Sequence, residues 1–193
     1  PTPMSTPTTE RSQDASRDTE SPAPASNVYF FGKGRAEGTK DMKAVLGGKG
    51  ANLAEMTNLG VPVPPGFTIA CSASITFLRH GRYPDRLREE VASNLRRLEE
   101  VSGKKFGDPS NPLLVSVRSG SPVSMPGMME TILNLGLNMR SAHGLAQQSG
   151  HAPFAFDSLR RFKQMYGDVV MGVPSAQFEQ LLRTKRLTAG VET

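Results

Sequence analysis

The sequence changes character at residue 27, and this change limits how much of the chain can fold. In residues 1–26, 15 side chains are Ser, Thr or Pro, and the apolar ones are Met4 and three alanines. A segment this polar cannot bury enough apolar surface to offset the entropy lost on ordering. We therefore expect a disordered tail over residues 1–26 and a folded domain over residues 27–193.

The net charge of the chain also differs between the two sides of residue 27. The whole chain has a net charge of +5, whereas residues 27–193 hold 21 basic and 14 acidic side chains and so carry +7. A basic surface suits nucleic acid, nucleotide phosphates or simply a solvated face. Nucleic acid is disfavoured, because the arginines at residues 86–97 alternate with acids and the loops lack interleaved aromatic residues.

The remaining composition excludes several classes of protein. Nothing approaches 18 consecutive apolar residues, so no membrane span is expected. The single cysteine, Cys71, rules out an internal disulfide framework and fits a reducing, cytoplasmic compartment. Three scattered histidines and one cysteine do not make a zinc site. Because the chain begins with Pro1 rather than Met, we expect a fragment or a processed product.

Hydrophobic periodicity predicts an α+β fold, in which strands and helices are mixed along the chain. Glycine and proline separate the segments, and the helix that begins with Pro84 has the clearest apolar stripe. On the helix over 49–59, Leu53 and Met56 are expected to lie on one face. Strands are predicted at residues 28–31, 67–70, 113–117 and 131–137, and helices at 49–59, 84–101, 154–170 and 175–184.

Residues 47–53 form a glycine-rich run with Lys49 at the start of a predicted helix. The run is not a P-loop, because Gly50 follows the lysine where Ser or Thr is required. Small residues let a backbone approach a ligand, and a helix start attracts anions. Lys49 could bind a phosphate there, or it could be a surface lysine beside a flexible turn.

Arg118 follows the apolar run at residues 113–117. A strand can hold an arginine rigidly at the edge of a cleft, where its guanidinium suits phosphate oxygens. The alternatives are an arginine that extends out of the core or pairs with an acid.

Residues 124–131 place three methionines around Pro126 and Gly127. Methionine packs adaptably on flat ligands, but a hydrophobic loop folded under the sheet explains the run equally well. Glu130 is more typical of a surface charge than of a metal ligand. No pair of nucleophile and base stands out in the sequence.

Five collinear segments resemble the amino-terminal part of the pyruvate phosphate dikinases. They read VYFFGKG, LGGKGANLAEMTNLGVPVPPGFTI, LLVSVRSG, SMPGMMETILNLGLN and FAFDSLRRFKQMYGDVVMGV. The resemblance runs from about Val28 to Val173. It implies that residues 27–193 are the incomplete, N-terminal subdomain of an ATP-grasp nucleotide-binding domain. The enzymes of this family pass a phosphoryl group from ATP through a phosphohistidine to pyruvate, which gives phosphoenolpyruvate, AMP and diphosphate.

The resemblance also implies roles for particular residues. Lys49 and Arg118 match ATP-binding positions of the family, while Gly127 and Met129 fall in a glycine-rich loop over the phosphates. The sequence departs from the family at residues 121–123, where Ser-Pro-Val stands in place of a loop that contains arginine.

The rest of the machinery that the resemblance implies is expected outside this chain. That machinery comprises the Mg²⁺ ligands beyond residue 193, a phosphohistidine domain and a pyruvate-binding domain. A monovalent cation and homo-oligomerisation are expected for the full enzyme. The chain alone is thus expected to hold no catalytic or metal-binding residue and to be inactive. A stand-alone nucleotide-binding fragment and a basic nucleic-acid-binding module are the alternative functions.

Overall fold

The computed structural model describes residues 26–120 and 131–191. The predicted disordered tail lies almost wholly outside these residues and stays a prediction. The described strands are β1 Val28–Gly32, β2 Arg35–Ala36, β3 Gly66–Ile69, β4 Lys105–Phe106, β5 Pro112–Leu113, β6 Val115–Arg118 and β7 Thr131–Leu135. The described helices are α1 Lys43–Asn58, α2 Cys71–His80, α3 Leu87–Ser102, α4 Met139–Ser149, α5 Ala152–Val169 and α6 Ser175–Thr188. Helices and strands are mixed, as the periodicity predicts for an α+β chain.

A three-stranded antiparallel sheet with the order β2-β1-β3 organises the first half of the fold. Strand β1 lies in the middle, and its Phe30 pairs with Phe67 of β3. Strands 28–31 and 67–70 are thus confirmed to within a residue or two. Because β3 is an edge strand, its residues are only partly buried, and Ile69 is 45% exposed.

Helices cover both faces of β1, as its alternating side chains require. On one face, Phe30 packs with Leu98 of α3 and with Leu113 of β5. On the other face, Tyr29 contacts the cluster formed by Leu46 and Ala51 of α1. The core therefore lies on each side of this central strand.

Helix α1 differs from the prediction in two ways. It begins six residues earlier than the predicted residue 49, but Gly47 interrupts it with φ 69° and ψ 170°, so a second helical segment starts just before Lys49. Met56, on the apolar face noted in the sequence, is 39% exposed, whereas Ala51 and Ala54 are buried. Small residues face the sheet because α1 packs closely against it.

The apolar run at 113–117 forms two short strands instead of one. β5 pairs in parallel with β4, and β6 pairs antiparallel with β7. The predicted burial holds for Leu113 and fails for Val117, which is 45% exposed. Leu113 is buried because it packs with Phe30 and Leu98, whereas Val117 belongs to none of the core clusters of the described residues.

The last third of the described chain is helical. Helices α5 and α6 confirm the predictions at 154–170 and 175–184, whereas α4 was not predicted. A capping box starts α4: the Asn138 side chain accepts from the Ser141 N–H at 3.0 Å, and the Ser141 hydroxyl accepts from the Asn138 N–H. Leu137, Ala142 and Leu159 then join α4 and α5 in one cluster. No helix in the described ranges is long and apolar enough to span a membrane.

Candidate phosphate-binding site

The structure brings together the two predicted phosphate-binding segments. The Lys49 ammonium, near the break in α1, donates a hydrogen bond to the carbonyl oxygen of Ser119 at 3.2 Å. Ser119 directly follows Arg118, the last residue of β6. Gly120 is also near α1, since a Cβ on it would lie 3.9 Å from the carbonyl oxygen of Leu46. Lys49 and the end of β6 therefore form one surface, although 69 residues separate Lys49 from Arg118.

The break at Gly47 gives this surface a helix start. Its positive φ is a conformation that glycine adopts without strain, and residues from Gly48 onwards are helical again. The first N–H groups of a helical segment lack carbonyl partners within that segment and carry the positive end of its dipole. The amides that follow Gly47 and the Lys49 side chain therefore lie where an anion is stabilised.

Gly50 fixes how closely this helix start approaches the sheet. A Cβ at Gly50 would lie 2.7 Å from Cγ2 and 3.1 Å from Oγ1 of Thr68 in β3. Real Cβ atoms do not tolerate the shorter of these distances, so the position requires glycine. In the glycine run, Gly50 allows close packing against β3, and Gly47 changes the direction of the chain. Lys49 lies between these two glycines, so both affect its position.

Arg118 ends β6, where its Cα pairs with that of Thr131 in β7. Both Arg118 and Lys49 are exposed. The four ion pairs found in the described residues include neither of them. The alternative in which Arg118 pairs with an acid is therefore not seen in this part of the chain.

Two of the four predicted binding residues, Gly127 and Met129, lie outside the described residues, as does Glu130. Their predicted place over the phosphates stays a prediction, as does the effect of the unusual residues 121–123.

Two of the described histidines make contacts at or between helices, and the cysteine lies in a helix. The His151 ring nitrogen Nδ1 accepts from the Phe154 N–H at 3.0 Å at the start of α5, and His143 packs edge-on against Phe156. Cys71 is a free, half-buried thiol in the first turn of α2. Within residues 26–120 and 131–191, no three or more His, Cys, Asp or Glu side chains form a group that could hold a metal ion.

Comparison with known proteins finds a family match for the segment that carries Lys49. Residues 43–104 match the family described as pyruvate phosphate dikinase, AMP/ATP-binding domain. Over these residues, the chain is similar to that domain family. The match contains the broken helix α1, the edge strand β3 and the whole of α2 and α3.

The similarity extends well beyond the matched family segment. The chain is 55% identical over 166 residues to pyruvate, phosphate dikinase of Rhizobium meliloti and 53% identical over 169 residues to that of Giardia intestinalis. It is also 53% identical over 166 residues to pyruvate, phosphate dikinase 1, chloroplastic, of Arabidopsis thaliana. Each alignment covers 86% of this chain but only 18%, 19% and 17% of the respective relative. The chain thus spans less than a fifth of these relatives' length.

Sequence reasoning missed two contributors to this site. No sequence pattern identifies the Ser119 carbonyl as the hydrogen-bond acceptor of Lys49, because every residue has a backbone carbonyl. Only the folded structure shows which carbonyl lies near the lysine. The sequence also does not identify Thr68 as the neighbour of Gly50. It shows only a glycine within a predicted helix, which indicates close packing against some other segment.

Proposed function

We propose that this chain is the ATP-binding part of a pyruvate, phosphate dikinase, in which Lys49 and Arg118 bind the polyphosphate of ATP. The observation that carries the proposal is the hydrogen bond from Lys49 to the carbonyl of Ser119. It joins a helix start inside an AMP/ATP-binding family segment to the strand end that carries Arg118.

The chemistry of the two side chains suits this role. The Lys49 ammonium is a compact charge with three donors, whereas the Arg118 guanidinium can bind two phosphate oxygens at once. Phosphoryl transfer depends chiefly on position and on charge stabilisation. Two cations and a helix start would hold the polyphosphate and offset its charge, and the Ser119 carbonyl holds Lys49 in place.

The finer parts of the proposal follow the resemblance. The subdomain is of the ATP-grasp type, and Gly127 and Met129 belong to a loop over the phosphates. A phosphohistidine domain and a pyruvate-binding domain complete the enzyme, which uses Mg²⁺ and a monovalent cation and forms a homo-oligomer. The ligands of Mg²⁺ are expected beyond residue 193. A cytoplasmic location is proposed, although the Arabidopsis relative is named chloroplastic.

A full-length enzyme that carries this sequence allows a selective test. Lys49→Ala and Arg118→Ala should each lower the rate at which ATP phosphorylates the carrier histidine by about 10- to 100-fold. This range corresponds to losing a charged hydrogen bond of about 1.5–3 kcal/mol. Phosphorylation of the same histidine by phosphoenolpyruvate should not change, since it does not use this site. Both rates are measured with labelled phosphoryl donors.

Matched controls are Lys104→Ala and Arg88→Ala, which remove exposed charges at the end of α3 and on its surface. Both control variants should retain the two rates. Normal ATP-dependent rates in Lys49→Ala and Arg118→Ala would overturn the proposal, and so would an equal loss of both half-reactions. An intact ATP site in a protein without the phosphohistidine domain would favour the stand-alone nucleotide binder instead.

A further inference from the structure

The pairing between β6 and β7 shifts by one residue just before the strand end that carries Arg118. Val115 pairs with Leu135, whereas Val117 pairs with Ile132. One residue of β6 therefore stands opposite two residues of β7, and the second of these two is Asn134. This irregularity is a β-bulge, a feature that changes the direction of side chains and is common beside functional sites.

The backbone of Asn134 has a conformation that few residues adopt. Its φ is 58°, in the left-handed region. Asparagine tolerates this region better than most residues, whereas a β-branched residue is strained there. Among the described residues, one other non-glycine residue has a positive φ, namely Lys33 in the turn between β1 and β2, with 52°. Asparagine at residue 134 thus permits the bulge with little strain.

The bulge determines which residue of β7 lies beside Arg118. In the structure, Arg118 is opposite Thr131. Residues that are directly opposite in an antiparallel pair have their side chains on the same face. If the register of Val115 and Leu135 continued without a bulge, Arg118 would be opposite Ile132 instead. The bulge therefore places a hydroxyl beside the guanidinium and puts the apolar, β-branched side chain on the other face.

Helix α5 provides a second contact that fits this register. The N–H of Leu133, the first residue of the bulge, donates to Sδ of Met165 in α5 at 3.4 Å. A slip of β7 by one residue would move this N–H about 3.4 Å along the strand and away from the sulfur. The observed register is thus matched to α5 as well as to β6.

We infer that Asn134 is a positioning residue for Arg118. Its left-handed backbone permits the bulge, and the bulge keeps Thr131 rather than Ile132 beside the guanidinium. The inference rests on the proposed function, in which Arg118 binds the polyphosphate of ATP. Asn134 acts through the register of β7 and not by contact with the nucleotide.

Substitutions that differ in their tolerance of positive φ test this role in a full-length enzyme that carries this sequence. Asn134→Val should lower the rate at which ATP phosphorylates the carrier histidine by about 5- to 30-fold, because left-handed strain changes the balance between two registers by this factor. Asn134→Gly should keep that rate within about twofold, because glycine adopts a positive φ without strain. Phosphorylation by phosphoenolpyruvate should not change in either variant.

The matched control is Lys33→Val, which introduces the same kind of strain in a turn that joins neither β6 nor β7. It should keep both rates. A double variant then tests whether Asn134 acts through Arg118. In an Arg118→Ala background, Asn134→Val should cause no further loss of the ATP-dependent rate, since two changes that act through one group are not additive.

Several outcomes would overturn this role of Asn134 alone. They are a normal ATP-dependent rate in Asn134→Val when Arg118→Ala lowers it, an equal loss in the valine and glycine variants, an equal loss of both half-reactions, a loss of the ATP-dependent rate in the Lys33→Val control, and independent losses in the double variant. A normal ATP-dependent rate in Arg118→Ala would instead overturn the proposed function, and the role of Asn134 with it.

Discussion

Gly50 and Lys49 show how much of the site depends on single residues. Lys49 donates to the Ser119 carbonyl, and the neighbouring Gly50 lets α1 lie close to β3 because it has no side chain. The glycine-rich run that suggests phosphate binding in the sequence is therefore partly a packing feature. Under the proposed function, the group of this run that binds phosphate is the Lys49 side chain.

We predict that Gly50→Ala destabilises the protein, although alanine is normally the better helix former. The new Cβ would lie 2.7 Å from Cγ2 of Thr68, so α1 or β3 must shift. Overpacking of this kind costs about 1–3 kcal/mol and outweighs the gain of about 1 kcal/mol in helix propensity. Urea unfolding followed by circular dichroism measures the change in the free energy of unfolding.

The double variant Gly50→Ala/Thr68→Ala is the matched control, because it removes both Thr68 atoms that the new Cβ would meet. The two changes should be coupled by about 0.5–3 kcal/mol, so the double variant is more stable than the sum of the single changes predicts. Strict additivity would show that the crowding at Thr68 does not cause the loss.

At the scale of elements, Glu37 joins three parts of the fold. Its Oε2 accepts from the Phe30 N–H of β1 at 2.8 Å, and its Oε1 accepts from the Arg97 guanidinium of α3. The same guanidinium lies 4.0 Å from the centre of the Phe30 ring. Glu37 itself follows β2, so one carboxylate connects the β1–β2 hairpin to the helix that covers the sheet.

We predict that Glu37→Ala and Glu37→Gln differ in their effect on stability. Alanine leaves the Phe30 N–H without its acceptor and should lower the free energy of unfolding by about 1–3 kcal/mol. Glutamine keeps a carbonyl acceptor and loses only a half-exposed ion pair, which is worth about 0.2–1 kcal/mol. Glu100→Ala on the exposed face of α3 serves as the control in the same urea titrations. Equal losses for alanine and glutamine would assign the effect to charge alone.

The elements that the sequence predicts well are those with a strong local pattern. The strand at 28–31 and the helices at 154–170 and 175–184 combine apolar periodicity with clear end signals. Helix α4 was missed because it is polar and contains Gly144, which a pattern analysis treats as a breaker. In the structure, Gly144 allows close contact with the backbone of Pro109, a long-range reason that local sequence does not contain.

The single predicted strand at 113–117 shows a second limit of local patterns. Apolar periodicity indicates an extended chain but does not specify its partner. Leu114 separates β5, which pairs with β4, from β6, which pairs with β7. Apolar character also does not show which residues meet the core: Leu113 packs with Phe30 and Leu98, whereas Val117 is exposed.

At the scale of the whole molecule, the proposed function makes the surface formed by Lys49 and the end of β6 one wall of a binding site. Lys49 and Arg118 were predicted from their places at a helix start and a strand end, and the fold brings these two segments together. The described residues offer no ion pair for either cation, and the chain covers less than a fifth of the relatives compared with it. This is consistent with a nucleotide that is held between Lys49, Arg118 and groups supplied by other segments.

The most direct test of this account is the protection of Lys49 by ATP. In a full-length enzyme that carries this sequence, limited acetylation and mass spectrometry give the labelling rate of each lysine. ATP at ten times its dissociation constant should slow the labelling of Lys49 about tenfold, in proportion to the free site that remains. Lys104 should be labelled at the same rate with and without ATP, and AMP should protect Lys49 less than ATP does. Equal labelling of Lys49 in the presence and absence of bound ATP would contradict the account.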